Sequence, residues 1–216
     1  MVGQTLREQG FTREVEVKHV AVKESVFPFI KFPGVDSLLG PEMKSTGEVM
    51  GIGWDFGTSF FKAQLGAGLR LPLNGTVFIS VNDKDKPGLL PIARRVERLG
   101  FKIVATKGTM EFLREHGVMA VLVLKLHEGR PNIVDAIKSH SIHLVINTPN
   151  DQRLKETSQI DDQYLRRAAI LYNVPYTTTL AGATAAVEGI EALRKNSITV
   201  MALQDYHRER QVTGDR

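Results

Sequence analysis

Residues 74 to 196 alternate between short apolar runs and amphipathic stretches. TVFISV (76–81) is a compact β-branched run and predicts a strand; PGLLPIARRVERLG (87–100), with Gly100 as a stop signal, predicts a helix. FKIVAT (101–106) and the long apolar run VMAVLVLKL (118–126) predict two further strands around a helix in MEFLREHG. A helix in NIVDAIKSH, a strand in LVINTP (144–149), a polar excursion, a helix in DQYLRRAAILYN, a strand in VPYTT and a helix in LAGATAAVEGIEALRKN complete the series. ITVMALQDY adds a late extended segment or tail. Strands that are apolar on both faces, alternating with helices, predict an α/β fold: a doubly wound parallel sheet covered on both sides.

The first 70 residues read differently. They hold eight of the fifteen aromatic rings: Phe11, Phe27, Phe29, Phe32, Trp54, Phe56, Phe60 and Phe61. The pattern predicts a strand in VEVKHVAVKESVFPF, a long Gly/Pro loop and a short helix over TSFFKAQLGAG. One strand and one helix cannot bury so many rings, so this part is expected to pack against something else.

Composition removes whole classes of function. There is no cysteine, which excludes thiolate catalysis, disulfides and Cys-zinc sites. No run of 18 apolar residues occurs and no basic-then-apolar leader opens the chain, so a soluble, cytoplasmic protein is expected. The net charge is +4, but acids are interspersed among the bases, as in RRVERLG, and no basic stripe is interleaved with aromatics. This favours small anions over nucleic acid as partners.

In a parallel sheet the binding crevice lies beyond the carboxyl ends of the strands. Strand 101–106 runs into Thr106, Lys107, Gly108 and Thr109 and then a helix, so hydroxyls, a cation and free helix N–H groups converge as in a phosphate cradle. Thr and Gly are equally ordinary helix caps. Strand 118–126 delivers Lys125, strand 144–148 delivers Asn147 and Thr148, and the first strand ends at Ser80 with Lys86 a few residues on. Lys125 also suits an edge residue whose amine reaches for water, and Asn147 a turn. Asp161 and Asp162 open a predicted helix: they read as favourable charge at its N-terminus, or one carboxylate accepts a ribose hydroxyl. No GxGxxG loop, Walker loop or GxSxG elbow is present, and His140 and His143 straddle a helix end without a carboxylate pair, so no metal site is expected.

The stretch KFPGVDSLLGPEMKSTGEVMGIG (31–53) resembles the end of the second ATP-grasp domain in the large subunit of carbamoyl phosphate synthetases. FKIVATKGT, KLHEGRPNIVDAIK, LVINT, LRRAAILY and VPYTTTLAG are similar to the methylglyoxal-synthase-like regulatory domain of that subunit. The resemblance divides the chain into residues 1–70, a C-terminal remnant of an ATP-grasp domain, and 74–208, a methylglyoxal-synthase-like allosteric domain. It implies a place in a glutamine-dependent ligase making carbamoyl phosphate for pyrimidines and arginine. The nucleotide pockets and magnesium-binding acids of that ligase lie upstream of MVGQTLREQGF, so these residues alone are expected to carry no synthesis and no cofactor, the ATP and Mg or Mn being used by the parent enzyme.

What the resemblance implies here is a site for nucleotide monophosphates, UMP as inhibitor and IMP as activator. It is carried by Ser80, Lys86, Thr106, Thr109, Lys125, Asn147, Thr148 and Asp161, with Lys107 where His is common, strengthening an anion site. Ornithine is implied at Glu24, Tyr176 and Thr178. The implied partners are the rest of the large subunit and, through it, the glutaminase small subunit. Pro149 stands where another Thr is frequent, which puts the identity of the effector in question. Two other readings stay open: a free-standing methylglyoxal-synthase-like lyase, against which Arg130 stands near the place of the required carboxylate base, and an inert fragment.

Overall fold

The computed structural model describes residues 3–13, 16–26, 47–149, 156–195 and 197–208. The loop expected across 27–46, with most of the ATP-grasp-like signature and the rings of Phe27, Phe29 and Phe32, lies outside them, as do residues 150–155.

Two strands, β1 (Val20–Val26) and β2 (Gly47–Gly53), pair antiparallel with Val20 opposite Gly53, and α1 (Phe56–Gly66) follows. Asp55 caps α1 through the Thr58 N–H at 2.8 Å. The second strand of this ribbon was not expected. GEVMGIG has too many glycines to read as a strand, yet glycine is what its contacts demand. A Cβ on Gly51 would stand 1.9 Å from the Ser59 carbonyl oxygen and 2.5 Å from the Ala63 nitrogen, so β2 rests directly on the α1 backbone.

The larger unit is a five-stranded parallel sheet in the order β5 (Val121–Leu122), β4 (Lys102–Ala105), β3 (Thr76–Ser80), β6 (Leu144–Asn147), β7 (Tyr176–Thr177). Between them run α2 (Lys86–Arg98), α3 (Lys107–Glu115), α4 (Ile133–Lys138), α5 (Glu156–Leu171) and α6 (Leu180–Lys195). The α/β expectation therefore holds, with helices on both faces. Val77, Ile79, Ile103, Leu144 and Ile146 point to one core with the apolar faces of α2, α3 and α6. Phe78 and Val145, their neighbours in sequence, point to a second core with α4 and α5, as the two-residue period of a strand requires. Burial of Leu89, Ile92, Ala93 and Val96 follows the helical period along α2. Among the eight rings of the first 70 residues, Phe61 is buried and Phe60 packs on the first core, because α1 crosses α6; Phe11, Trp54 and Phe56 are exposed.

Three expectations are corrected. The run at 118–126 contributes only β5, whose Val121 and Leu122 are exposed: the strand pairs with β4 alone, at the sheet edge. Its long apolar composition mimicked a central strand. The helix expected to open at Asp161 and Asp162 starts at Glu156, so the acids sit in its second turn and not at its positive end. The C-terminal segment is not wholly extended, since α7 spans Leu203–Arg208.

Candidate functional site

The chain enters the sheet at β3, winds to β4 and β5, then returns to β6 and β7 on the other side of β3. The loop after β3 leads to α2 on one face and the loop after β6 leads to α5 on the other. The carboxyl ends of β3 and β6, from which α2 and α5 go to opposite faces, are the switch point at which such sheets take ligands in a crevice.

Ser80, the last residue of β3, meets Thr106 at the end of β4, whose hydroxyl lies 3.2 Å from the Ser80 hydroxyl and 3.4 Å from that of Thr109. The Val81 N–H donates to Thr109 Oγ1 at 3.3 Å. Thr106 holds the capping position of α3 but its side chain caps no N–H there, so the first turn of that helix keeps donors available. Lys86 reaches the same place: its ammonium lies 3.5 Å from where a Cβ on Gly108 would stand. It is meanwhile paired with Asp83 at 2.7 Å, and the Lys86 ammonium holds that carboxyl below its usual range. Lys107 is exposed in the first turn of α3.

From the other side of the crevice come Asn147 and Thr148, both buried. The Thr148 N–H donates to the Ser80 carbonyl at 3.1 Å, which extends the β3–β6 ladder by one residue and fixes where its hydroxyl sits. Asn147 Nδ2 donates to Asp162 Oδ1 at 3.2 Å. Burial pushes the Asp162 carboxyl up, against the Asn147 hydrogen bond and the charges of Arg166 and Lys125. Arg166 is only 4% exposed, an uncommon state for a guanidinium, and Asp162 lies one helical turn before it. Lys125 is half-buried at the start of a 3-10 turn (Leu126–Glu128), its backbone N–H taken by Glu128 at 2.8 Å.

Asp161 does not face Asn147. Its carboxylate pairs with His127 Nδ1, tying α5 to the turn that presents Lys125. Of the three expected ornithine contacts, Glu24 lies on β1 while Tyr176 and Thr178 lie on or just beyond β7, in the other sheet. Burial raises the Glu24 pKa, with a hydrogen bond from Gln64 opposing. Among the described residues, the buried Tyr176 hydroxyl and Thr177 Oγ1 make no hydrogen bond of normal geometry. Asn147 and Arg166 nevertheless lie close enough to favour the phenolate; burial outweighs them and pushes the phenol up.

The structure thus joins Ser80, Thr106, Thr109, Lys86 and Thr148 around one crevice, and Asn147 with Lys125 behind it. Asp162, one of the two acids read as an acceptor for a ribose hydroxyl, belongs to this neighbourhood, as does His127 in the turn after Lys125; Asn82 and Arg166 belong to it too and were not expected. Helical spacing was an available signal for Arg166, because Asp162, Arg166 and the buried Ala169 fall on one stripe of α5. Among the described residues, no group of three or more His, Asp or Glu could hold a metal ion, and no helix is long and apolar enough to cross a membrane.

Residues 88–178 match the family model of the MGS-like domain. Over 97% of its length the chain is 54% identical to the carbamoyl phosphate synthase large chain of Archaeoglobus fulgidus, and over 95% it is 52% identical to that of Nostoc sp. PCC 7120. It is 54% identical over 88% of its length to the carbamoyl phosphate synthase large chain, C-terminal section, of Methanopyrus kandleri. The chain spans 19%, 18% and 34% of the length of these relatives. A methylglyoxal synthase from Elizabethkingia anophelis NUHP1 aligns over 54% of this chain and 79% of its own, at 18% identity and a TM-score of 0.41.

Proposed function

We propose that this chain, which carries an MGS-like domain and is related along nearly its whole length to carbamoyl phosphate synthase large chains, binds a nucleoside monophosphate at the switch-point crevice and thereby regulates the synthetase. Carbamoyl phosphate synthesis, for pyrimidines and arginine, is assigned to the longer polypeptide with its ATP-grasp domains and its glutaminase partner. The observation that carries the reading is the meeting of Lys86 with the uncapped first turn of α3 inside a ring of hydroxyls from Ser80, Thr106, Thr109 and Thr148. A phosphate there accepts from helix N–H groups and hydroxyls while an ammonium offsets its charge. Lys107 and Lys125 add positive potential, and Asp161 or Asp162 offers an acceptor for a ribose hydroxyl.

The same reading includes ornithine. An amino-acid ammonium would relieve the half-buried Glu24 carboxylate, and the Tyr176 hydroxyl is a buried group in need of a partner. The effector acts on the synthetase only so far as it binds two of its conformations unequally.

Thermal unfolding of the chain with UMP, IMP and inorganic phosphate tests the proposal. Ligand at a hundred times its dissociation constant adds about 2.7 kcal/mol, roughly 5–10 °C for a chain of this size. Lys86→Met is expected to abolish the shift. Failure of all three ligands to raise the melting temperature of the unsubstituted chain would refute it.

A further inference from the structure

Beyond α6 the chain does not stay with the sheet. Residues 197–202 lead back to the ribbon, where α7 sets down Tyr206, which is 6% exposed and has its ring 5.1 Å from that of Trp54 and 5.6 Å from that of His19 between centroids. Its hydroxyl donates to the Ile52 carbonyl at 3.1 Å. This contact does not close the gap: between β2 and α1 on one side and residues 198–206 on the other lies a cavity of about 430 Å³, within the size range of small-molecule sites. Its walls are apolar and unfilled. Met50, Leu65, Ile198 and Leu203 line it, yet each is between 39% and 51% exposed. Large apolar side chains that converge on one hollow and stay exposed mark a surface that takes an apolar body.

Among the described residues that line the cavity, Lys62 alone is charged. Its ammonium donates to the Ile52 carbonyl at 2.8 Å and lies 3.4 Å from the Tyr206 hydroxyl, and it pairs with no carboxylate among the described residues. An ammonium has three protons and these contacts engage at most two, so at least one is unspent. An anion that reached it would gain a charge-assisted hydrogen bond. One cation without a helix N-terminus beside it matches a singly charged head, whereas a phosphate dianion is better matched by the several donors at the sheet edge. We propose that this cavity binds a small amphipathic monocarboxylate, a medium-chain acyl acid, with its carboxylate on Lys62 and its chain along Met50, Leu65, Ile198 and Leu203. Such a ligand touches the ribbon and the C-terminal segment at once and fastens one to the other. None of these residues belongs to the nucleotide crevice, and the proposal does not rest on that reading.

Isothermal titration of the 216-residue chain at neutral pH with hexanoate, octanoate and octan-1-ol tests it. Octanoate is expected to bind saturably at one site, and more tightly than hexanoate by about fourfold per added methylene, the gain from burying a CH2 group. Lys62→Met keeps the apolar stem and removes the charge; it should weaken octanoate by about tenfold or more and octan-1-ol by less than about twofold. Leu65→Ser, on the opposite kind of contact, should weaken both ligands alike. Native Trp54 emission, set by the Tyr206 contact, checks that each variant keeps its ribbon. Absence of saturable octanoate binding, or hexanoate binding as tightly as octanoate, overturns the inference, and neither outcome needs a variant that folds. Equal losses for acid and alcohol in Lys62→Met overturn it too, that being the behaviour of a bare apolar face that docks polypeptide.

Discussion

Where β2 lies on α1, backbone meets backbone; where β3 and β6 lie under their helices, branched side chains fill the space between. In the ribbon, Gly51 faces the Ser59 carbonyl and Gly53 faces Thr58, and the polar groups are spent on structure. Ser59 donates to the Val20 carbonyl at 2.8 Å, while Lys62 at 2.8 Å and Tyr206 at 3.1 Å both donate to the Ile52 carbonyl. In the sheet, the apolar strands satisfy one another and the polar side chains gather at one edge. A contact made without side chains is precise. A layered one leaves its strand ends open, and there the candidate site lies. The two regions meet where α1 crosses α6, again at glycines: a Cβ on Gly57 would lie 2.6 Å from the Glu188 carbonyl oxygen, and one on Gly189 would lie 3.0 Å from Leu71 Cδ1.

Four substitutions break or sharpen this contrast. The largest effect is expected from Gly51→Ala, which drives a methyl into the α1 backbone and should cost about 3 kcal/mol or more. Trp54, the single tryptophan, sits in the ribbon against Tyr206 at 5.1 Å between ring centroids, so its fluorescence reports on this region. Its unfolding midpoint in denaturant should fall more than the far-UV circular dichroism midpoint; coincident falls would show the two regions to be one cooperative unit. Gly57→Ala comes next, at about 2 kcal/mol, because it pries α1 from α6 and leaves both cores in place. It should weaken the dependence between the Trp54 and circular dichroism transitions without changing UMP affinity.

Asn132→Ala acts only on the sheet side. Asn132 caps α4 by accepting from the N–H groups of Val134 at 3.0 Å and Asp135 at 3.3 Å, and its loss should cost about 1–2 kcal/mol in thermal unfolding, with Trp54 emission in the native state unaltered. Asp162→Asn gives the smallest change, and its sign depends on pH. The native carboxyl is raised above its ordinary 3.8, so the native state binds more protons than the unfolded chain between 3.8 and that raised value. Stability contributed by this group is therefore present at low pH and lost as pH rises through the native pKa. The amide removes that loss, so the variant should melt above the unsubstituted chain at pH 7 and lose its advantage below about pH 4. An advantage independent of pH would locate the effect outside this carboxyl.

The elements whose burial follows a strict period were legible: α2 from Leu89, Ile92, Ala93 and Val96, and β3 from its β-branched run. β2 and β5 were misread for opposite reasons. GEVMGIG lacks the side chains that advertise a strand, because the helix beneath it excludes them; VMAVLVLKL displays them at an edge that leaves Val121 and Leu122 uncovered. Ser80, Thr106, Asn147 and Thr148 could be placed at the strand ends from the sequence, since a residue that closes an apolar run must stand there. The contact of Asn82 with Thr148, some 66 positions on in the chain, could not be, nor could the pairing of Asp161 with His127 and of Asp162 with Asn147.

The apolar and polar order along the chain was enough to determine a parallel sheet with two coats of helix, and which residues end its strands, because burial selects side chains at periods of two and 3.6. Tertiary structure alone decided which strand ends are neighbours and which acid faces which base. That choice rests on hydrogen bonds between segments far apart in sequence, whose geometry is set by the order β5-β4-β3-β6-β7 rather than by any local pattern.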